Sequence, residues 1–268
     1  MTVDVRAQDC IAGMAALPVE SVDVCVTSPP YNIGVKYRTY KDTQHRTEYL
    51  KWSMRWIDEV FRVLDTNGSF FLNLGGCPRD PFLPHEIIIL LREKWYLQNT
   101  FHWIKAISID GNETTHAPTI SRGHFKPINS KRFVNDCHEY VFHLTKTGSV
   151  PIDRKGVGVP YVDQSNIKRW AHSQGNNLRC RGNTWFIPYR TIHDRKSQRD
   201  HPATFPVALP AMCLRLHSPA ASSLRVLDPF VGLGSSLVAA QQHIAQSFTG
   251  FDIDEFYVKT TLSKITLL

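Results

Sequence analysis

Apolar and polar positions alternate in short runs, separated by longer stretches of helical period. Val22, Val24 and Val26 alternate with Asp23 and Cys25, which predicts a strand with one buried face. Val3 and Val5 predict another strand ahead of it, and Ile11, Met14 and Leu17 a short helix closed by Pro18. In residues 48–65, Tyr49, Trp52, Trp56, Val60, Phe61 and Leu64 recur at helical spacing and form one apolar stripe. Asn67-Gly68 predicts its end, and residues 69–74 read as a buried strand. A helix over 84–94, strands over 95–105 and 139–146, and an amphipathic helix over 204–216 follow. Residues 224–240 read as strand, glycine loop and helix, and a last strand over 247–252 ends in an acid. Strand and helix in alternation predict an α/β fold with a doubly wound, mostly parallel sheet.

Two stretches break the alternation. Residues 107–135 read as a long polar loop whose Arg122, Lys126, Lys131 and Arg132 favour a place near phosphate. Residues 147–200 are rich in glycine, asparagine and basic residues, with Tyr161, Trp170, Trp185, Phe186 and Tyr189 interleaved. Charge sharpens that reading. The 268-residue chain carries a net +7, but residues 121–201 hold fifteen Lys/Arg against six Asp/Glu, leaving the remainder at −2. A basic segment on a near-neutral body is the footprint of a polyanion reader, the plain alternative being a solvated basic loop region. Arg154, Lys155, Lys168, Arg169, Arg179 and Arg181 are the insert's candidate phosphate or base contacts, and its aromatics are expected to form a small core of their own. No apolar run approaches the roughly 18–20 residues that span a bilayer, and the amino terminus lacks an apolar signal region. The six cysteines form no CxxC pair and read as reduced, mostly buried residues of a cytosolic or nuclear protein; the twelve histidines show no metal-site spacing.

Candidate chemistry sits in two places. Ser28-Pro29-Pro30-Tyr31 follows the strand 22–26, and its prolines end the ladder stiffly. A hydroxyl, backbone carbonyls and an aromatic ring are thereby held at the carboxyl end of a strand, where open α/β sheets bind ligands. On its own the stretch also reads as a proline-terminated loop with a packed tyrosine. Gly232-x-Gly234 allows a tight turn after a strand, and Asp252 lies 20 residues after Gly232, suited to ribose hydroxyls. A third glycine is missing at Leu237 and no second dinucleotide half is present, so S-adenosylmethionine fits better than NAD.

Taken together these residues resemble the amino-methyltransferases of DNA. Ser28-Pro29-Pro30-Tyr31 is similar to their catalytic motif, and Asp228-Pro229-Phe230-Val231-Gly232-Leu233-Gly234 to their cofactor motif. Catalytic motif first, basic insert, cofactor loop last: this order is similar to the β class. The resemblance implies a circularly permuted, seven-stranded sheet, with residues 1–146 as the catalytic half, 147–200 as a target-recognition insert and 201–268 as the cofactor-binding half. It places Asp9 and Cys10 near the adenine of S-adenosylmethionine, Asp252 at the ribose, and Gly232 and Gly234 at the methionine end; Asp228, Phe230 and His201 belong to the same set. One departure stands. Many members carry a lysine shortly after the His-Pro turn, where this chain has Phe205, which leaves open a contact from there to the cofactor carboxylate.

The implied reaction is methylation of an exocyclic amino group on a base flipped out of double-stranded DNA. The Ser28 hydroxyl and the Pro29 carbonyl would accept the amino hydrogens, and Tyr31 would stack on the base. Serine at the first position resembles the N4-cytosine enzymes; aspartate is typical of N6-adenine enzymes. Cytosine N4 is therefore expected, adenine N6 is the alternative, and a SAM-fold protein that binds nucleic acid without catalysis is the rival of another class. Protein-glutamine and RNA methyltransferases with a similar Pro-Pro-Tyr resemble the chain less, because their cofactor loop precedes the catalytic motif. A homodimer and a restriction endonuclease acting on the same site are partners the resemblance allows. The compartment expected is the bacterial cytoplasm at the nucleoid, or the nucleus in a eukaryote.

Overall fold

A computed structural model describes residues 1–111, 119–123, 129–165, 167–169, 177–188, 203–218 and 223–265. The first expected strand is β1 (Thr2–Ala7), followed by α1 (Cys10–Ala15) and β2 (Val22–Thr27). The apolar stripe forms α2 (Arg46–Val63), which runs directly into β3 (Leu64–Leu74). Asn67 and Gly68 therefore do not end the helix. They lie inside the strand, beside a register shift between Val22 and Val24 of β2. The helix expected over 84–94 is α3 (Leu83–Leu91), and β4 (Tyr96–Ile104) follows. The expected polar loop carries a hairpin of β5 (Ala106–Ile109) and β6 (Ile120–Gly123), paired antiparallel with Ala106 opposite Gly123. β7 (His138–Thr145) returns through the core, and β8 (Thr184–Phe186) arises within the basic insert. The last part of the chain forms α4 (Ala208–His217), β9 (Arg225–Asp228), α5 (Ser235–Gln242), β10 (Ser247–Asp252) and α6 (Glu255–Ser263).

The main sheet has the order β1-β10-β9-β2-β3-β7-β4-β8. The first five are parallel, β7 runs antiparallel to both neighbours, and β8 adds parallel to β4. The sheet thus has eight strands where seven were expected. The eighth is the three-residue β8, too short to show a period and bounded by Gly182 and Pro188.

Alternation along the central strands decides the layers. Cys25, Phe70 and Leu72 face α1, α2 and α3, in a cluster with Met14, Trp56, Val60 and Ile87. Val24, Val26 and Phe71 face α4 and α5, in a cluster with Leu209, Cys213, Leu237 and Ala240. The expected separate core of the insert is not what Trp185 joins. Its ring is fully buried, stacks 4.2 Å from Phe101 and belongs to the second of these clusters. Trp170 and Tyr189 lie outside the described residues. All six cysteines are free, but only Cys10, Cys25 and Cys213 are buried. No described helix is long and apolar enough to cross a membrane.

Candidate active site

β2 and β9 lie side by side and end together, which brings two distant loops to one sheet edge. Their ends are tied by Asp228. Its buried carboxylate accepts from the Thr27 hydroxyl at 2.5 Å, the Phe230 N–H at 3.0 Å and the Ser236 hydroxyl. Asp228 does not line the adjoining cavity; it braces the turn beneath it. Burial pushes its carboxyl up to about 6, while the Ser236 and Thr27 hydroxyls pull the other way. The native state therefore holds a proton that the unfolded chain has released, between roughly pH 4 and pH 6, and Asp228 costs stability as pH rises through that window. Replacing it by asparagine removes the slope. In denaturant titrations from pH 4 to pH 7, Asp228→Asn gains on the order of 3 kcal/mol relative to wild type. Parallel pH profiles would show that another group titrates.

The glycine loop is held from three sides. The Gly232 N–H donates to Asp252 Oδ2 at 3.0 Å, the Thr261 hydroxyl donates to the Gly232 carbonyl at 2.8 Å, and Lys264 Nζ donates to the Leu233 carbonyl. Gly234 caps α5 with φ of 76°, and a Cβ there would lie 2.6 Å from Thr261 Cγ2. That position requires glycine on both counts. Gly234 itself stays behind the cavity wall, whereas Gly232 forms part of it. Asp9 caps α1 by accepting from the Ile11 and Ala12 N–H groups at 3.0 and 3.2 Å.

The cavity between these loops has a volume of about 380 Å³, within the range of small-molecule sites. Asp9, Cys10, Ser28, Tyr31, Phe230, Gly232 and Asp252 all line it, so the structure brings together most of the catalytic and cofactor residues that the sequence nominated. S-adenosylmethionine fits this donor set. Phe230 and Ile253 supply apolar walls for an adenine, and each Asp252 oxygen, although bonded to the Gly232 or Asp254 N–H, keeps a lone pair for a ribose hydroxyl. Phe205 also lines the cavity, an apolar wall where a lysine would have brought a charge. His201 lies outside the described residues.

The Ser-Pro-Pro-Tyr stretch is clamped rather than merely stiff. Tyr49 of α2 donates to the Pro30 carbonyl at 2.6 Å. Asn32 follows with φ of 58°, and Asp42 accepts from the Asn32, Ile33 and Val35 N–H groups at 2.7, 3.1 and 2.9 Å. Among the described residues the Pro29 carbonyl accepts no hydrogen bond, so it is available to a substrate. Tyr31 is anchored through its hydroxyl, which lies 2.8 Å from Ser28 Oγ, 3.0 Å from Glu139 Oε2 and 3.2 Å from the Asn73 carbonyl. Asn73 Nδ2 donates to both Tyr31 and Glu139, and Lys105 Nζ pairs with Glu139 Oε1 at 3.0 Å. Asn73, Lys105 and Glu139 escape the sequence reading. Asn73 had a usable signal, an amide interrupting the apolar run of β3.

Among the described residues, none of the nominated cations lines the cavity. Arg122, Lys131, Arg132, Arg154, Arg169, Arg179 and Arg181 are exposed and Lys155 is half-buried. Arg181 donates to the Val157 carbonyl at 2.8 Å, and Arg132 lies 4.8 Å over the Phe133 ring. Lys126 and the Lys168 side chain lie outside the described residues.

Residues 22–263 match the family of N6/N4 methyltransferases, described as DNA methylase. The chain belongs to that family. This methylase is 26% identical to the Type II methyltransferase M.ScaI of Streptomyces caespitosus over 271 residues, 96% of this chain and 79% of that one. It is 26% identical to the DNA adenine methyltransferase YhdJ of Escherichia coli over 269 residues, 96% of this chain and 80% of that one. Its fold is that of the PvuII DNA methyltransferase, described as cytosine-N4-specific, with a TM-score of 0.70, 18% identity, and coverage of 98% of this chain and 86% of that one. Along the methylase the Ser-Pro-Pro-Tyr stretch precedes the glycine loop, and both sit on a sheet of that architecture.

Proposed function

We propose that this DNA methylase transfers the methyl group of S-adenosylmethionine to the N4 amino group of a cytosine flipped out of double-stranded DNA. The observation that carries the reading is Ser28, a neutral hydroxyl at the head of the catalytic stretch and on the wall of the cofactor cavity. An exocyclic amino nitrogen is a poor nucleophile because its lone pair is delocalised into the ring. Two acceptors, the Ser28 hydroxyl and the unclaimed Pro29 carbonyl, take its hydrogens, turn the nitrogen towards sp³ and aim the lone pair into the cavity. The bound sulfonium supplies an electrophilic methyl, and positioning with electrostatics then governs a direct displacement. Because the amino group is out of reach inside the duplex, the base is flipped.

The second reading is N6-adenine methylation, favoured by the similarity to a relative named as an adenine enzyme. Mass spectrometry of nucleosides from DNA methylated by the purified protein separates the two. N4-methylcytosine is the expected product, and N6-methyladenine alone overturns the proposal.

The exposed cations of 119–132 and of the insert are assigned to the DNA backbone, which makes binding salt-dependent. In this reading residues 1–146 and 201–268 are two halves of one core, with 147–200 recognising the target. The protein works in the cytoplasm, on DNA, alongside an endonuclease of the same site.

A further inference from the structure

The hydrogen bonds around Tyr31 have a direction. Glu139 accepts only, and Asn73 Nδ2 and Lys105 Nζ donate only. The single Tyr31 proton therefore goes to an acceptor, and the carboxylate oxygen of Glu139 at 3.0 Å is a stronger and nearer one than the Asn73 carbonyl at 3.2 Å. With its own proton so committed, Tyr31 Oη receives hydrogen bonds from Asn73 and from Ser28. The Ser28–Tyr31 bond of 2.8 Å is thus donated by Ser28, whose lone pairs are left for the substrate. A chain of aligned hydroxyls ending on a carboxylate polarises each member and makes Ser28 a better acceptor than an isolated serine.

We propose that Glu139 is the positioning residue of this reaction: acting through Tyr31, it orients the Ser28 hydroxyl as an acceptor and receives the proton that the methylated amino group releases. The inference rests on the methylase reaction and holds for either base. The amino lone pair forms the new N–C bond while the S–CH₃ electron pair returns to sulfur, so the nitrogen becomes cationic and the sulfonium becomes a neutral thioether. One N–H proton passes to Ser28 Oγ as the Ser28 proton moves to Tyr31 Oη and the Tyr31 proton moves to Glu139 Oε2. The products are the methylamino base, the thioether and a neutral carboxylic acid, which later loses its proton to water. The transient cation is a strong acid, because deprotonation restores delocalisation of the lone pair into the ring. Asn73 and Lys105 hold the Glu139 carboxylate in place at the end of the chain.

The test uses excess full-length protein, unmodified bacteriophage DNA and tritiated S-adenosylmethionine, in single turnover. Wild-type transfer on the same DNA tests the methylase reading by itself, apart from the role of Glu139. Glu139→Gln keeps the size and one acceptor but cannot take the proton, and slows transfer by about 100-fold, within the range of general acid–base contributions. The dissociation constant for S-adenosylmethionine, measured by calorimetry, stays within about threefold. Tyr31→Phe breaks the chain at its middle with a comparable loss, and the double variant is no slower than the worse single, as for groups that act as one unit. Wild-type rates in either single variant, multiplied losses in the double, or a loss confined to cofactor affinity would each overturn the proposal.

Discussion

Ser28→Ala lowers the single-turnover rate of methyl transfer by about a thousandfold, the upper range for removing one preorganised polar contact to a transition state. Affinity for S-adenosylmethionine and for DNA changes little. The expectation comes from how little else Ser28 does. Among the described residues its side chain bonds Tyr31 alone, while the strand end beneath it is held by Thr27 and Asp228 and the loop beyond it by Tyr49 and Asp42. The fold therefore survives the change. What is lost is one of two acceptors for the amino hydrogens, and the Pro29 carbonyl alone leaves the nitrogen close to planar. Rapid-quench tritium transfer, with calorimetry for the cofactor, separates the two effects. Undiminished turnover would remove Ser28 from the mechanism, and a parallel loss of cofactor affinity would make it a binding residue instead.

Trp185→Ala destabilises the protein by about 3–5 kcal/mol, the usual cost of deleting a large aromatic ring from a packed core. The ring is fully buried and stacked on Phe101 with its plane tilted 24°. Its backbone pairs with Trp103 in β4, and its indole N–H donates to the Gly182 carbonyl at 3.3 Å. The effect reaches beyond the insert, because Trp103 lines the candidate-site cavity and donates to the Ile187 carbonyl at 2.8 Å. Urea unfolding followed by far-UV circular dichroism measures it. A loss below about 1 kcal/mol, the size of an ordinary surface change, would mean that β8 is not coupled to the sheet.

The features legible in the sequence are those with a period or a required backbone geometry. Val22, Val24 and Val26 give β2 its register, the stripe from Tyr49 to Val60 gives α2 its buried face, and Gly232, Gly234 and Asp252 mark a loop and the strand end opposite it. β8 and the β5–β6 hairpin were not legible. Three or four residues are too few to show alternation, and Trp185 is buried by partners in β4 that lie more than eighty residues earlier. The same limit applies to Glu139. Nothing local distinguishes it from any acid at a strand entrance, and its significance comes from Tyr31 and Asn73, which reach it from two other strand ends. Asp228 was legible as part of a motif but not in its role, since only the packed sheet shows its carboxylate turned beneath the loop.

The pairing of β2 with β9 also has a kinetic meaning. Val24 meets Val226, and the Thr27–Asp228 bond spans 201 positions along the chain. Contacts so distant in sequence form slowly, because chain entropy is lost before they repay it. Pairing of these two strands is therefore a slow, non-local step, and in the proposed reaction the methyl donor binds beside their seam. A donor that binds only the closed seam pulls the folding equilibrium forward, by about 2.7 kcal/mol at a hundred times its dissociation constant. Cellular donor concentration thereby becomes a determinant of how much of this chain persists folded, as well as of how fast it turns over.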